Sequence, residues 1–405
     1  MESIKIYKLD SKGRGIGRYN NKPIFIFNAL PNEEVLVKNI NERSKYVTAD
    51  SYDFIIRSDK RINPICPYFG VCGGCDLMHM SYDEQLKFKK DKVSFNIHSM
   101  VDSNIKVLDI KHSDNLHYRN KAEFKVSNNV GYYSKSTHEI VPVEKCFLVN
   151  DKINEILKFL RNKKLDGIFS ILIRASLNDC MVVFNTDKKI EIYFLDELKS
   201  LVSTCILNVN GNEEVLFGKG YIIDSIKNFS YKISPKSFFQ VNTDGAYLLY
   251  STVLNYIKKG DRVLDLYCGT GSIGIFLSDV ASSVLGVEIN SDAVNDAFFN
   301  KNLNNLTNVD FKCLDTSLFS NDLSDIDTVV VDPPRSGMNL KTINYLLDQN
   351  VDKIVYVSCD LMTLCRDLNI MKDKYKILEV TPVDMFPNTY HVECVSVLLR
   401  KSLEK

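Results

Sequence analysis

Three patterns predict a multidomain α/β protein. From Asp261 onward, apolar runs at Arg262 to Tyr267, Ser283 to Ile289, Thr328 to Val331 and Ile354 to Val357 alternate with helix-length segments, the rhythm of a doubly wound parallel sheet. Before Ile56, short alternating segments punctuated by glycine predict a small β-barrel. Between the two, a cysteine-rich stretch leads into a mixed α/β region, Ser81 to Lys232, whose rhythm is weak and which is expected to carry a metal site. The expected boundaries are 1–58, 59–235 and 236–405, and 405 residues suffice for two or three such cores.

The barrel rests on Ile4-Lys5-Ile6-Tyr7 and Pro23 to Phe27, with Gly13, Gly15, Gly17 and Leu30-Pro31-Asn32 as turns. Formal net charge is zero, from 51 basic and 51 acidic residues, yet Met1 to Lys164 carries +8 and Leu165 to Lys405 carries −8. A basic amino-terminal part joined to an acidic one points to nucleic-acid binding there. The run Gly13-Arg14-Gly15-Ile16-Gly17-Arg18, followed by Pro23 to Val35, resembles the TRAM domain, a small RNA-binding barrel. No run of 18 apolar residues exists, and the charged start is unlike a signal peptide. A cytoplasmic monomer without a membrane partner is expected, its eleven cysteines reduced, metal-bound or nucleophilic.

Cys66, Cys72 and Cys75 form a C-x5-C-x2-C pattern in which Gly73-Gly74 lets the chain wrap, and Cys146 is the candidate fourth ligand. Zinc favours paired short spacings, whereas an iron–sulfur cluster accepts x5 and a distant fourth cysteine. His79 is a competing ligand.

In the carboxy-terminal part, strand Val263-Leu264-Asp265-Leu266 runs into Tyr267-Cys268-Gly269-Thr270-Gly271-Ser272-Ile273-Gly274, where glycines allow a sharp turn and close approach to a ligand. Glu288 closes the next strand, where a carboxylate can accept both hydroxyls of a ribose. An adenosine-containing cofactor is expected, with a dinucleotide as the rival. Asp332-Pro333-Pro334-Arg335 follows another strand at the carboxyl end of the sheet, its prolines stiffening the carboxylate's loop. Arg335 stands where amino-directed nucleic-acid methyltransferases carry a base-stacking aromatic. Cys359 lies at a strand-to-helix turn, where a helix amino terminus is expected to lower the thiol pKa.

The run Asp265 to Gly271 resembles the first motif of class I methyltransferases, which favours S-adenosylmethionine over a dinucleotide. Together with Phe238-Phe239-Gln240-Val241-Asn242, Asp332 to Gly337, Ser358-Cys359, and Asp384 to Thr389 leading to His391-Val392-Glu393, it resembles the RNA uracil-5-methyltransferase family along essentially the whole chain. The resemblance implies a Rossmann-like class I methyltransferase domain with Cys359 as nucleophile and Glu393 as base. It also implies Gln240, Tyr267, Gly269, Glu288 and Asp332 as contacts to S-adenosylmethionine, and a [4Fe-4S] cluster on Cys66, Cys72, Cys75 and Cys146. The cluster and barrel mark its rRNA-directed branch, so RNA, with 23S rRNA favoured over tRNA, is the expected partner and 5-methyluridine the product. Asn388 and Asp360 depart from the family, which often has His and Asn there. Cytosine-5 enzymes carry a cysteine after the proline of the Asp332 loop, absent here. A tRNA-directed enzyme and a non-catalytic RNA-binding iron–sulfur protein are the alternatives, and Phe238 or Phe239 is a candidate to stack on the target base.

Overall fold

The computed structural model describes residues 2–135, 137–349 and 351–401, so Met1 and the last four positions of the expected segments lie outside it. The amino-terminal sheet has six strands in the order Ser3–Lys5, Glu34–Glu42, Val47–Ile56, Lys22–Phe27, Gly15–Tyr19, Lys8–Leu9. Alternating Ile4, Ile6, Ile24, Ile26, Val35 and Val37 fill its core. Strand Gly15–Tyr19 needs its glycines: a Cβ on Gly17 would stand 2.3 Å from Ile4 and 2.8 Å from the Lys5 carbonyl. Arg61 ties this sheet to the cysteine segment, donating from Nε to Glu33 Oε1 at 2.5 Å and from a terminal nitrogen to Oε2 at 2.8 Å.

The middle sheet has seven strands, ordered Ile140–Pro142, Val130–Tyr133, Lys121–Val126, Ile168–Ala175, Cys180–Thr186, Thr204–Val209, Asn212–Phe217. One pair, Cys180–Thr186 with Thr204–Val209, is parallel while its neighbours are antiparallel. Helix Asp151–Leu160 packs on the sheet through Ile153, Ile156, Leu157 and Leu160, one helical face. Its first turn is capped by Asn150, which accepts from Ile153 N at 3.0 Å. Central strand Cys180–Thr186 is buried on nearly every residue, so no period-two alternation reaches the sequence.

The carboxy-terminal sheet has eight strands: Val309–Cys313, Ser283–Glu288, Arg262–Leu266, Thr328–Val331, Lys353–Ser358, Glu393–Arg400, Tyr375–Val383, Lys106–Val107. The first five are parallel and Glu393–Arg400 inserts antiparallel beside Lys353–Ser358. Apolar residues of helix Tyr82–Met100 and the turn after it, namely Val93, Ile97, Val101 and Ile105, share a core with Leu364 and Leu368 of helix Leu361–Met371. Residues 82–107 therefore pack on the carboxy-terminal sheet, although the boundary at 235/236 counts them with the middle part. Among the described residues no helix is long and apolar enough to cross a membrane.

Candidate active site

The loop after strand Arg262–Leu266 reverses by placing Tyr267, Gly269 and Gly271 at positive φ, +64°, +54° and +76°. At Gly271 a Cβ would also strike the Phe311 ring at 2.5 Å, so only glycine fits. Glu288 is held in advance: its Oε2 accepts from Gly269 N at 3.1 Å and its Oε1 from Asn290 N at 2.8 Å. Space above Gly269 is open. Asp265 is fully buried; its Oδ2 accepts from Gly274 N at 3.0 Å, while Oδ1 has no partner among the described residues. Its burial, and then the Asp332 charge, push the Asp265 carboxyl up to about 8. Gln240 is buried where the chain enters helix Thr243–Leu254, which Asn242 caps by accepting from Gly245 N at 2.9 Å.

Asp332 emerges at the end of strand Thr328–Val331, its backbone N–H donating to the Leu266 carbonyl at 3.3 Å. Ser358 and Cys394 are partners across the antiparallel pair, so Cys359 and Glu393, one position on in opposite directions, emerge side by side. Glu393 is 4 % exposed. Its carboxyl is pushed up to about 8, first by burial and then by Asp332, with Arg335 pulling the other way. Burial alone pushes Asp332 up to about 7.

The thiol behaves differently from the sequence expectation. Cys359 is pushed up to about 12 by burial, then by the charges of Glu393 and Asp332, against which Arg335 acts. Asp360 occupies the donors of the helix amino terminus, its Oδ1 accepting from Met362 N and Thr363 N at 3.0 Å each. A helix terminus alone does not lower this thiol, because burial and then two buried carboxyls oppose it.

These carboxyls make stability depend on pH. A carboxyl whose folded pKa exceeds its unfolded value stabilises the fold most below the unfolded value, and that contribution is lost as pH rises through the folded one. For Glu393 the window runs from 4.5 to about 8. Glu393→Gln is thus expected to melt higher than the native protein at pH 9, with the gap narrowing toward pH 5; a gap independent of pH in thermal melts would remove the buried carboxyl as its cause.

The four cysteines line one cavity of about 130 Å³ with Tyr68, Phe69, Met78 and Tyr132. Burial pushes up Cys66, Cys72 and Cys75, and each is raised further by the charge of Cys146. Cys146 is fixed through Asn154, which accepts from its N–H at 2.9 Å and donates to its carbonyl at 3.0 Å. Arg119 lines the same cavity with its Nε unpartnered among the described residues. Among those residues no group of three or more His, Cys, Asp or Glu converges as single-ion ligands would, so the expected metal site is not found in that form. His79 does not line the cavity; it is buried and stacked on Phe69 at 5.3 Å, and burial lowers it to about 3.

Of the adjacent aromatics, Phe239 is core at 3 % exposure and Phe238 is 71 % exposed. The two departures from the family pattern have local roles: Asp360 caps its helix, and Asn388, at φ +64°, donates to the Asn115 carbonyl at 2.7 Å. Asn120 was not visible as a site residue. Its Nδ2 lies 3.1 Å from both the Gln240 carbonyl and Thr243 Oγ1, holding the Phe238 to Asn242 segment, yet a single asparagine in a loop carries no local signal.

This strand order, with an antiparallel strand inserted beside the last parallel one and a glycine turn after the first, defines a class I methyltransferase fold. Residues 81–402 match the model of the tRNA (uracil-5-)-methyltransferase family. The chain belongs to that family of S-adenosylmethionine-dependent RNA uracil-5-methyltransferases. An uncharacterized RNA methyltransferase of Clostridium tetani is 37% identical, covering 98% of this chain and 95% of the relative. One from Clostridium acetobutylicum is 34% identical over 98% and 96%. The tRNA (uracil-54, C5)-methyltransferase of Pyrococcus abyssi, solved with S-adenosyl-L-homocysteine, superposes with TM-score 0.83 at 25% identity, over 98% of this chain and all of its own. A tRNA-directed enzyme thus matches this chain from end to end, and overall architecture does not by itself mark an rRNA-directed one.

Proposed function

We propose that the protein methylates C5 of a uridine in RNA through a covalent adduct between Cys359 and C6 of the base. The observation that carries this reading is the strand register that sets Cys359 beside Glu393, with Asp332 within electrostatic reach of both. C5 of neutral uracil is a poor nucleophile, and covalent addition is the way to activate it. The Cys359 thiolate adds to C6, the C5=C6 electron pair becomes an enolate, and C5 takes the methyl group of S-adenosylmethionine, releasing S-adenosylhomocysteine. Glu393 accepts the C5 proton, and the electron pair left behind expels the thiolate. Arg335 opposes the two carboxyls and raises the thiolate's share, and the sulfonium of the methyl donor adds a further positive charge. Gln240, Tyr267, Gly269, Glu288 and Asp332 are proposed as the donor's contacts, and the preset Glu288 carboxylate as the ribose acceptor. Exposed Phe238 is proposed to stack on the flipped target base.

Cys66, Cys72, Cys75 and Cys146 are proposed to hold a [4Fe-4S] cluster. A cluster takes one thiolate per iron and so keeps its ligands further apart than a single ion does. The shared cavity, which Arg119 also lines with its Nε unpartnered among the described residues, supports this. The sheet at Ser3–Ile56 and the cysteine segment are proposed to grip RNA, and the cytoplasm is the expected location.

The proposed substrate is 23S rRNA, on the barrel and cysteine segment that resemble the rRNA-directed branch. A second reading, tRNA, is favoured by the whole-chain match to the Pyrococcus abyssi enzyme. Nucleoside mass spectrometry of rRNA and tRNA from cells with and without the protein separates them: 5-methyluridine is expected to disappear from 23S rRNA, and loss from tRNA alone would establish the second reading.

A further inference from the structure

The segment 384–391 that leads into Glu393 has no regular structure, yet its backbone carbonyls are individually captured from outside it. Met385 O accepts from Asn242 Nδ2 at 3.1 Å, and Phe386 O from Lys89 Nζ at 3.0 Å. Pro387 O accepts from the Tyr118 hydroxyl at 3.0 Å, and Tyr390 O from Lys92 Nζ at 3.0 Å. Asn388 O takes the N–H groups of Asp76 and Leu77 at 2.9 and 3.0 Å. Side chains add to this. Lys89 Nζ meets Asp384 Oδ1 at 2.5 Å with both side chains fully buried, and Tyr82 donates to Asp384 Oδ2 at 3.0 Å. Gln85 and Asn388 bond reciprocally: Gln85 Nε2 donates to Asn388 Oδ1 at 3.1 Å, and Asn388 N to Gln85 Oε1 at 3.0 Å.

Tyr82, Gln85, Lys89 and Lys92 are spaced by three, four and three, a single face of helix Tyr82–Met100. The same helix packs its apolar residues against helix Leu361–Met371, which begins two residues after Cys359. One rigid element therefore grips both the approach to the base and the helix beside the nucleophile. A buried charge pair and buried carbonyls are costly to leave unmatched, so the loop has one arrangement in which all are satisfied.

We propose that Gln85 and Lys89 are positioning residues for proton removal: acting through Asn388 and Asp384, they set where the Glu393 carboxylate stands relative to C5 of the base. This rests on the covalent reading above. The two residues touch neither base nor methyl donor, and their effect should fall on the step Glu393 performs, not on the addition of Cys359.

The test separates those steps. 5-Fluorouridine RNA carries no C5 proton, so its adduct forms and methylates without needing the base, whereas ordinary uridine RNA must lose the proton to be released. Gln85→Ala and Lys89→Met are expected to form the 5-fluorouridine adduct within about threefold of the native rate, while turnover on ordinary RNA falls about tenfold and about 10²-fold, the scale of a misplaced catalytic group. The pH dependence of release should shift as well, because the carboxylate's surroundings have moved. A parallel fall in both steps would reduce the pair to general structural support and overturn the proposal, as would native turnover. If Lys89→Met does not fold, Gln85→Ala, which keeps the buried charge pair, decides. Absence of an adduct in the native protein is a separate result: it sinks the covalent reading and this proposal with it.

Discussion

Cys359→Ala is expected to lower methyl transfer by about 10⁴-fold or more, the scale seen when a covalent nucleophile is removed. Nothing else in the site can take its place. The other groups near C6 in this reading are carboxyls pushed toward neutrality, with Asp332 up to about 7 and Glu393 up to about 8, and both are poor nucleophiles toward carbon. Serine should do no better than alanine, since a hydroxyl ionises far less readily than the thiol it replaces. Binding of S-adenosylhomocysteine should stay within about threefold, because the donor's proposed contacts come from other strands; a large loss there would signal a collapsed site instead. Single-turnover methyl transfer to uridine RNA, with the 5-fluorouridine adduct read on denaturing gels beside it, reports the first quantity, and equilibrium titration with S-adenosylhomocysteine reports the second. Retention of more than about one per cent of native turnover would exclude Cys359 as the covalent group.

The doubly wound part was legible because its parallel strands are buried on both faces and read as continuous apolar runs between helices, as at Thr328–Val331. The short strands of the amino-terminal sheet were legible, but Gly15 and Gly17, read as turns, lie inside a strand, where Ala29 and Ile6 crowd the first and Ile4 and the Lys5 carbonyl the second. The middle sheet was not, since burial of Cys180–Thr186 on both faces erases alternation and one parallel pair interrupts an antiparallel order. At the site, the strand-to-helix turn carrying Cys359 was visible, but the direction of its pKa was not. Local sequence shows the helix terminus; the opposing charges come from Glu393 and Asp332, on strands joined to Cys359 only by sheet pairing. Glu393 itself has no local mark and was found through resemblance of the segment before it. Phe238 and Phe239 were indistinguishable in sequence, and the backbone then turned one into the core and one to the surface. The Lys89–Asp384 pair spans 295 positions, beyond any pattern a window of sequence can hold.

Glu393→Gln is expected to trap the reaction after methylation. Glutamine keeps the shape and the buried position but cannot accept a proton, so addition and methyl transfer proceed while elimination slows by about 10³-fold, within the range for a removed general base. The electrostatics suit the carboxylate to this one step. In the ligand-free site it is pushed up to about 8, a proton affinity that makes it a capable base near neutral pH. While the sulfonium is present its positive charge favours the ionised carboxylate; once the methyl group has moved, the donor becomes a neutral thioether and that support is gone. Glu393 therefore becomes a stronger base at the moment the C5 proton has to leave. The consequence is measurable with ordinary uridine RNA and S-adenosylmethionine: Glu393→Gln should accumulate a denaturation-resistant complex carrying the transferred methyl group, and the double variant with Cys359→Ala should form none. Release at the native rate would assign proton removal to another group, with Asp332, the buried carboxyl whose charge acts on Glu393, the one on which to repeat the substitution.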